Sequence, residues 1–246
     1  MAADQAMDMS YFGIQAYVGT TKHMGGLEST KELIDLCRIK AGMHVLDVGC
    51  GAGATASYLV RTHGCTVVGV DVTPGMIDRA NERAREEGLS EKVEFKVGDA
   101  RKLPLETARF DAVICESVLT FVEDKPSAMA ELVRAAKPRA WVGLNEETWL
   151  ETAAPRELIE EMRRIWEIEH EVPKAEEWRA MLEGSGLNGV TTQIHRFDPA
   201  KESSQVKRYR GRDMWRMMTR SFSLFLSSPE FREYMRDRRS LPKHLF

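Results

Sequence analysis

The sequence lacks the features that mark membrane-spanning, secreted and zinc-binding proteins. No apolar run in its 246 residues approaches the roughly 20 residues needed to cross a bilayer. The N-terminus has no basic stretch followed by an apolar core, so we expect no secretion signal and a cytoplasmic location. The 4 cysteines include no CxxC pair and stand beside no histidine cluster, which predicts reduced thiols and no metal site. These cysteines are Cys37, Cys50, Cys65 and Cys115.

Charge is unevenly distributed along a chain whose formal net charge is only −3. Residues 201–246 carry 12 Lys or Arg against 5 Asp or Glu, a net charge of +7, so the rest of the chain carries −10. Such a basic segment either neutralises the acidic remainder or meets an anionic ligand, whether a small substrate or RNA. Both interpretations stay open at the level of the sequence.

What the sequence does contain is a regular alternation of strand and helix signals. It predicts a doubly wound, mostly parallel, Rossmann-like α/β sheet with helices on both faces. Ser29–Glu32 fits a capping box before the first helix, Thr73 followed by proline fits a later helix start, and Gly88 fits that helix's end. The predicted strands are Met43–Val48, Thr66–Asp71, Val93–Val97, Phe110–Cys115 and Trp141–Asn145; the predicted helices between them are Ala54–Thr62, Pro74–Glu87 and Asp124–Ala136.

Two flanking regions follow this alternation less closely. Residues 1–27 mix aromatic residues and glycine without a period, and we predict a partly ordered lead-in that folds over a ligand. Residues 28–200 would form the sheet domain, with Val190–Phe197 as its last strand, and residues 201–246 a basic helical cap. A stripe of Met, Trp and Phe at 214–226 belongs either to the core or to the wall of an apolar substrate pocket.

The most informative segment is the glycine-rich stretch Val45–Gly53, which contains the end of the first strand. Glycine lets a ligand approach main-chain N–H groups, and the N-terminus of the next helix attracts negative charge. The spacing of Gly49, Gly51 and Gly53 is GxGxG, whereas dinucleotide enzymes usually have GxGxxG. Asp47, two residues before the first of these glycines, suits a cationic amine and suits a pyrophosphate poorly.

Two later strand ends carry carboxylates that fit a nucleoside. Asp71 ends the second strand, where a carboxylate commonly binds the two hydroxyls of a ribose. Asp99 and Ala100 follow the third strand and offer a carboxylate and an N–H group to the edge of an adenine. Val72 and Met76 are placed to pack on the adenine faces. An amine, a diol and an adenine edge describe S-adenosylmethionine (SAM) better than they describe the cofactor of a NAD-dependent oxidoreductase.

These motifs resemble those of a known family, the class I SAM-dependent methyltransferases of the small-molecule type, methyltransferase type 11. The resemblance rests on four motifs in the expected order and covers roughly residues 28–148. It implies an enzyme that transfers a methyl group from SAM and releases S-adenosylhomocysteine (SAH). The four motifs are Val45–Gly53, Val67–Asp71, Val97–Ala100 and Phe110–Glu116.

The resemblance also implies roles for individual residues. It places Glu116 and Ser117 near the methionine moiety and the transferred methyl, and it likens the lead-in with Tyr11, Tyr17 and His23 to a segment that covers the cofactor. Glu116 and His23 are the candidate general bases, and histidine titrates near neutrality. The other implied cofactor contacts are Asp47, Gly49, Cys50 and Gly51 at the methionine end, Asp71 at the ribose, and Asp99 and Ala100 at the adenine.

The chain departs from the family pattern at two places. Many relatives have a histidine a few residues after the fourth strand, where this chain has Thr120 and Phe121. The family sheet ends in a hairpin whose first strand can be Val190–Phe197; either an inner segment supplies the second strand, or the given sequence ends before that strand. A sheet edge left open in this way favours pairing with another chain, so an oligomer is one expected outcome.

The substrate is the least determined feature. An apolar cap with basic residues suggests a hydrophobic or anionic small-molecule acceptor, and Asn145–Glu147 should face it because ligands bind at the C-terminal ends of parallel strands. Cys115 follows Ile114, not the proline usual in cytosine methylation, so a buried structural thiol is favoured. The alternatives are an RNA or protein methyltransferase that docks through residues 201–246 and a SAM-binding protein without catalysis.

Overall fold

The computed structural model describes residues 8–149, 156–168, 170–196, 198, 201 and 203–239. One five-stranded sheet forms its centre, built from β1 His44–Val48, β2 Thr66–Asp71, β3 Val93–Val97, β4 Phe110–Glu116 and β5 Ala136–Asn145. The strand order is β3-β2-β1-β4-β5, and every neighbouring pair is parallel. The C-terminal ends of all five strands therefore meet at one edge of the sheet.

Helices connect and flank these strands. Short 3-10 helices at Leu119–Phe121 and Ser204–Arg208 add to them. The α-helices of the described chain are α1 Tyr11–Val18, α2 Gly26–Leu36, α3 Ala54–His63, α4 Pro74–Glu87, α5 Lys125–Ala135, α6 Arg156–Trp166, α7 Ala175–Gly184, α8 Gly211–Ser227 and α9 Pro229–Arg239.

The alternating strand residues build a core on each face of the sheet. Val45 of β1 packs with residues of α2 and α3 on one face, among them Leu59, whereas the next residue, Leu46, packs on the other face with Leu132 of α5 and Trp178 of α7. Successive strand side chains point to opposite faces, so a strand that is apolar throughout is buried on both. The predicted doubly wound sheet with helices on both faces is confirmed.

Local signals located most of these elements. The helix predicted over Pro74–Glu87 begins after Thr73 and ends at Gly88, which adopts the left-handed conformation. The predicted strands over Thr66–Asp71 and Val93–Val97 have the observed bounds. Three predictions were wrong in part: α2 begins at Gly26, before the proposed capping box; β5 begins five residues earlier than Trp141; and residues 190–196 form no strand, while Phe197 lies outside the described residues.

The lead-in contains a regular helix that the sequence analysis did not predict. Helix α1 begins after Ser10, whose hydroxyl accepts a hydrogen bond from the Gly13 N–H group, and ends at Gly19. Six of its 8 residues are buried, so it lacks the single apolar stripe by which a surface helix is recognised. Residues 1–7 lie outside the described part of the chain. The division at residue 27 stays a prediction.

The predicted helical cap is present over the described residues up to Arg239, and its apolar stripe has an unexpected position. Leu224 and Phe231 pack against Ile14 and Val18 of α1, so α8 and α9 hold this helix in place. The larger apolar residues of α8, however, are exposed to solvent. Neither interpretation of the stripe, as core or as pocket wall, describes those side chains.

Candidate active site

The glycine loop after β1 passes close to its surroundings at two positions. Gly49 and Gly51 have φ angles of +72° and +50°, in the left-handed region that favours glycine. A methyl group on Gly49 would overlap the Val118 side chain, and one on Gly51 would lie 2.5 Å from the hydroxyl oxygen of Thr21. The loop therefore packs so closely at these two glycines that a larger residue would displace Val118 or Thr21.

Asp71 holds the glycine loop from the neighbouring strand. Its Oδ2 accepts a hydrogen bond from the Gly51 N–H group at 2.9 Å, and its Oδ1 accepts one from Thr73 at 2.9 Å. Burial raises the pKa of Asp71, and these backbone donors oppose that shift. A carboxylate has about four acceptor sites, so capacity remains for the two hydroxyls of a ribose.

A cavity of about 380 Å³ lies at this edge of the sheet, within the size range of cofactor sites. The loops after four strands, helix α1 and the segment after α6 enclose it. Predicted site residues that line it are Gly49, Gly51, Asp71, Val72, Met76, Asp99, Ala100, Glu116 and Ser117. Further lining residues include Tyr11, Phe12, Gln15, Thr21, Lys22, Arg101, Phe121, Glu123 and His170.

Four predicted site residues do not line the cavity: Tyr17, His23, Asp47 and Cys50. Tyr17 instead packs in the cluster that joins α1 to α8 and α9. Cys50 is buried below the loop, and burial raises the pKa of its thiol. His23 is 4% exposed, and its ring nitrogens lie 3.1 Å from the Thr30 hydroxyl and 3.2 Å from the Met24 carbonyl oxygen.

Asp47 is a buried acid without a full set of partners. It is 3% exposed, and its Oδ2 has no hydrogen-bond partner among the described residues. Burial raises the pKa of Asp47 to about 8; Glu116 adds to this shift and Arg208 opposes it. An orphaned carboxylate oxygen at the end of β1 fits a ligand that brings a cationic amine.

Glu116, at the end of β4, is the centre of a buried hydrogen-bond network. Its carboxylate accepts hydrogen bonds from the hydroxyls of Thr30 and Thr55 and from the Asn145 amide, and the His23 ring lies 3.6 Å away. Burial lowers the pKa of His23, although Glu116 acts in the opposite direction. The network fixes the Glu116 carboxylate at the cavity wall.

Arg208 brings a buried positive charge to the same network from the distant cap. The side chain is 2% exposed, and its guanidinium donates to the Thr55 hydroxyl at 2.9 Å. The adjacent Tyr209 hydroxyl and the Thr21 backbone are also hydrogen-bonded, and the Thr21 hydroxyl accepts from Ala52 of the glycine loop. No local signal in the sequence predicts these links, because they join segments about 150 to 190 residues apart.

Glu146 positions the turn that follows β4 and contains Thr120 and Phe121. Its carboxylate accepts hydrogen bonds from the N–H groups of Val118, Leu119 and Thr120, and the buried Thr120 hydroxyl also donates to Glu146 and Glu147. Burial and the neighbouring Glu147 raise the pKa of Glu146 to about 8, against the effect of those donors. The two glutamates do not line the cavity described above.

An aromatic wall, which we define as Tyr11, Phe12 and Phe121, forms part of the cavity lining. The rings of Phe12 and Phe121 are 4.9 Å apart in an edge-to-face arrangement, and those of Tyr11 and Phe121 are stacked at 6.3 Å. His170 joins the lining from a segment whose neighbours Ile168 and Val172 pack against Phe121. The sequence analysis missed Phe12 and His170, since only the fold brings them together.

The described part of the chain has neither a metal-binding cluster nor a membrane-spanning helix. No group of three or more His, Cys, Asp or Glu side chains in this part is arranged to hold a metal ion. None of the helices there has both the length and the apolar character needed to cross a membrane.

An open parallel α/β sheet with a glycine loop and a carboxylate at its second strand end defines a nucleotide-binding protein of the Rossmann-like class. Comparison with known sequences identifies a family within this class: residues 46–144 match the family described as methyltransferase domain. An uncharacterised protein of Haemophilus influenzae is 32% identical over 180 residues, which cover 72% of this chain and 71% of that protein. The chain therefore belongs to the class I SAM-dependent methyltransferases, whose methyl donor is SAM.

The chain matches only part of the length of two phosphoethanolamine N-methyltransferases to which it is similar. Phosphoethanolamine N-methyltransferase 3 of Arabidopsis thaliana is 38% identical over 114 residues, which cover 46% of this chain and 23% of that protein. The crystal structure of Haemonchus contortus phosphoethanolamine N-methyltransferase 2, in complex with phosphomonomethylethanolamine and SAH, is 18% identical. Its match covers 95% of this chain and 53% of that one with a TM-score of 0.70, which shows a shared fold.

Proposed function

We propose that the protein transfers the methyl group of SAM to a small-molecule acceptor in the cavity under α1, mainly by aligning the two reactants and excluding water. One observation carries this proposal. The loops that hold Asp71 and Asp99 meet the aromatic wall around a single cavity of about 380 Å³. Its lining has both polar groups suited to a nucleoside and an apolar surface suited to a second ligand.

The nucleoside part of SAM fits the residues at the ends of β2 and β3. Asp71 has remaining acceptor capacity for the ribose hydroxyls, and Met76 offers an apolar surface to the adenine. Asp99 accepts a bidentate hydrogen bond from its neighbour Arg101, with a shortest distance of 2.6 Å. Because this pair is partly exposed, adenine recognition by Asp99 requires only a local adjustment of the arginine.

The methionine part fits the end of β1. The unpartnered Oδ2 of Asp47 supplies negative charge beside the glycine loop, and Gly49 and Gly51 leave their backbone open to the cavity. Binding of a cationic amine near Asp47 would favour the ionised carboxylate that burial now disfavours. In this proposal Cys50 supports the glycine loop, and Tyr17 supports helix α1, both from outside the cavity.

The acceptor would occupy the space beside the aromatic wall. Three aromatic rings favour a ligand with a substantial apolar part, and Lys22 adds positive charge to the lining. We therefore propose a hydrophobic acceptor, with room for an anionic substituent. Phosphoethanolamine, named for the Arabidopsis relative, is one compound to include in a screen.

Alignment is proposed as the main source of rate acceleration. SAM supplies a methyl group already activated on a sulfonium, which the acceptor displaces in line. Holding two reactants in this geometry contributes on the order of 7–11 kcal/mol, whereas acid-base assistance typically gives about 10²–10⁴-fold. The Glu116 carboxylate is engaged by three donors and His23 lies outside the cavity, so both are assigned to positioning. His170 is the histidine of the lining that can accept a proton from an acidic acceptor.

The ion pairs of the basic segment, residues 201–246, favour a small-molecule acceptor over docking of RNA. Arg216 and Arg220 of α8 form ion pairs with Glu82 of α4, and Arg216 also pairs with Glu86. Arg208 is buried beside the glycine loop. Much of the positive charge is thus used to neutralise the acidic body.

Calorimetry with SAM and SAH tests the cofactor assignment. Asp71→Ala should weaken SAM binding by about 30-fold or more, because charge-assisted hydrogen bonds of about 1.5–3 kcal/mol are lost with the side chain. Asp78→Ala, an exposed acid on α4, is the matched control and should bind SAM normally. Unchanged affinity in Asp71→Ala would refute the assignment.

The reaction itself is tested by following SAH formation with a panel of small acceptors. Phenols, thiols, amines and anionic apolar compounds should separate the acceptor classes. Tight SAM binding without SAH formation across the whole panel would favour the alternative of a SAM-binding protein without catalysis. Methylation of RNA or protein in place of small molecules would overturn the substrate class.

A further inference from the structure

Helix α8 presents an apolar stripe away from the body of the protein. Its five members follow one another at intervals of three or four residues, apart from one adjacent pair, and so lie on one side of the helix. All are large, and their exposed fractions range from 47% to 67%. The outer stripe of α8 consists of Trp215, Met218, Phe222, Phe225 and Leu226.

The opposite side of α8 is the one that contacts the protein, and it is partly polar. Asp213 is buried and lies 3.6 Å from Arg83, and Arg220 pairs with Glu82. Leu224 packs against α1. Surface helices of globular proteins normally turn their apolar stripe inward, so α8 reverses the usual arrangement. Ion pairs at the inner face keep the outer stripe directed toward solvent.

The size of the stripe separates it from incidental exposure. With side-chain areas of about 150–250 Å² for aromatic residues and the fractions above, the exposed area is on the order of 600 Å². This matches the upper end of apolar patches on monomers, which are commonly interaction sites. It falls short of the roughly 800 Å² per partner in a standard protein–protein interface.

The charge around the stripe selects the kind of partner. Lys207, Arg210 and Arg212 are exposed at or just before the N-terminal end of α8, in addition to the ion-paired Arg216 and Arg220. A second copy of the chain would bring an identical basic rim against this one, which is unfavourable. An anionic surface meets both the charge and the apolar stripe.

We propose that the outer stripe of α8 docks the protein on an anionic lipid bilayer. A helix with Trp, Phe and Leu on one side and basic residues beside them lies in the bilayer interface, with its apolar side about 5–10 Å deep. The stripe is convex and fixed to the body by its opposite side, which suits a flat surface better than a groove that encloses a helix. The same helix holds α1, the lid of the cavity, through Leu224.

Vesicle flotation with the full chain tests this proposal. The protein should float with vesicles of phosphatidylcholine and phosphatidylglycerol, and far less with phosphatidylcholine alone, since basic residues add affinity only for anionic lipid. Trp215→Ser combined with Phe222→Ser should reduce the partition coefficient by about tenfold or more, since each change removes a large apolar group from the interface. Ile194→Ser, which removes an apolar residue 52% exposed in another segment, is the control and should float like the wild type.

A second measurement does not depend on loss of binding. Bromine-labelled lipids should quench tryptophan fluorescence on docking, and this quenching should fall in Trp215→Phe, which retains an aromatic ring and should still float. Unfolding temperatures of all variants should equal that of the wild type, because the changed residues lie outside the core.

Three outcomes of the flotation and sedimentation experiments would overturn the proposal. They are no flotation with anionic vesicles, flotation that the double variant leaves unchanged, and a stable dimer in sedimentation that the double variant dissociates. The last result would assign the stripe to a second copy of the chain. Capture of an acidic protein in place of vesicles would equally refute the lipid assignment.

Discussion

The central sheet and helix α8 use the same kind of sequence pattern in opposite ways. In the helices around the sheet, apolar residues at helical spacing face inward, as Leu59 and Leu132 do at 0% exposure. In α8 the equally periodic Trp215, Phe222 and Leu226 face outward, and Asp213 faces inward. Periodicity thus determines which residues share one side of a helix. It does not determine which side the body of the protein covers.

The largest expected effect on the free energy of unfolding comes from truncating a leucine to alanine in both regions. Leu59→Ala should reduce the free energy of unfolding by about 2–5 kcal/mol, because it removes a buried side chain and leaves a cavity. Leu226→Ala, at a position 64% exposed, should change it by less than about 0.5 kcal/mol. Urea denaturation of both variants measures the difference. Equal losses would mean that the stripe of α8 is covered in solution.

A smaller effect is expected when Gly49 of the glycine loop is compared with Gly184 of α7. Gly49→Ala forces an alanine into a left-handed conformation against Val118, which should cost about 1–2 kcal/mol and weaken SAM binding at least tenfold. Gly184→Ala, in α7, meets open space and should be neutral or stabilise the helix by up to about 1 kcal/mol. Thermal unfolding and calorimetry check both. Normal SAM binding by Gly49→Ala would contradict the proposed close approach at the loop.

A third expected effect is a pH dependence that belongs to the sheet region. The folded-state pKa of Asp47, about 8, lies above its unfolded value of 3.8, so the folded protein binds the proton more tightly. Between these two pH values the stability contributed by this group falls as pH rises, by up to about 1.4 kcal/mol per pH unit. Asp47→Asn should therefore lose less stability between pH 5 and 7.5 than the wild type, in the absence of SAM. Parallel profiles in urea would show that the carboxylate is better solvated than its burial indicates.

Much of the sheet could be predicted because its signals are local and agree with one another. Thr73, Pro74 and Gly88 each act on the backbone next to them, and they located α4 to the residue. The strand predicted over residues 190–197 had the right alternation, but residues 190–196 pair with no described strand. Alternation shows only that a strand is compatible with the sequence, whereas a strand also needs a neighbour.

The candidate site likewise contains residues that could be predicted from the sequence and residues that could not. Asp71 and Asp99 were predictable because parallel strand ends meet at one edge, so their positions along the chain imply proximity. The aromatic wall was not, since Phe12, Phe121 and His170 come from three distant segments. His23 shows the converse: its local setting suggested access to a ligand, and the fold buried it against Thr30 and Glu116.

By itself, the sequence determined the order of strands and helices along the chain, the glycine loop and the acids that follow it. Through these features it determined the family and the methyl donor. The tertiary structure alone decided the aromatic wall, the burial of Asp47 and Arg208, and the outward side of α8. The physical reason is the range of the interactions. Backbone propensity and strand-end geometry act within a few residues, whereas burial and charge pairing depend on which distant segments arrive at the same place.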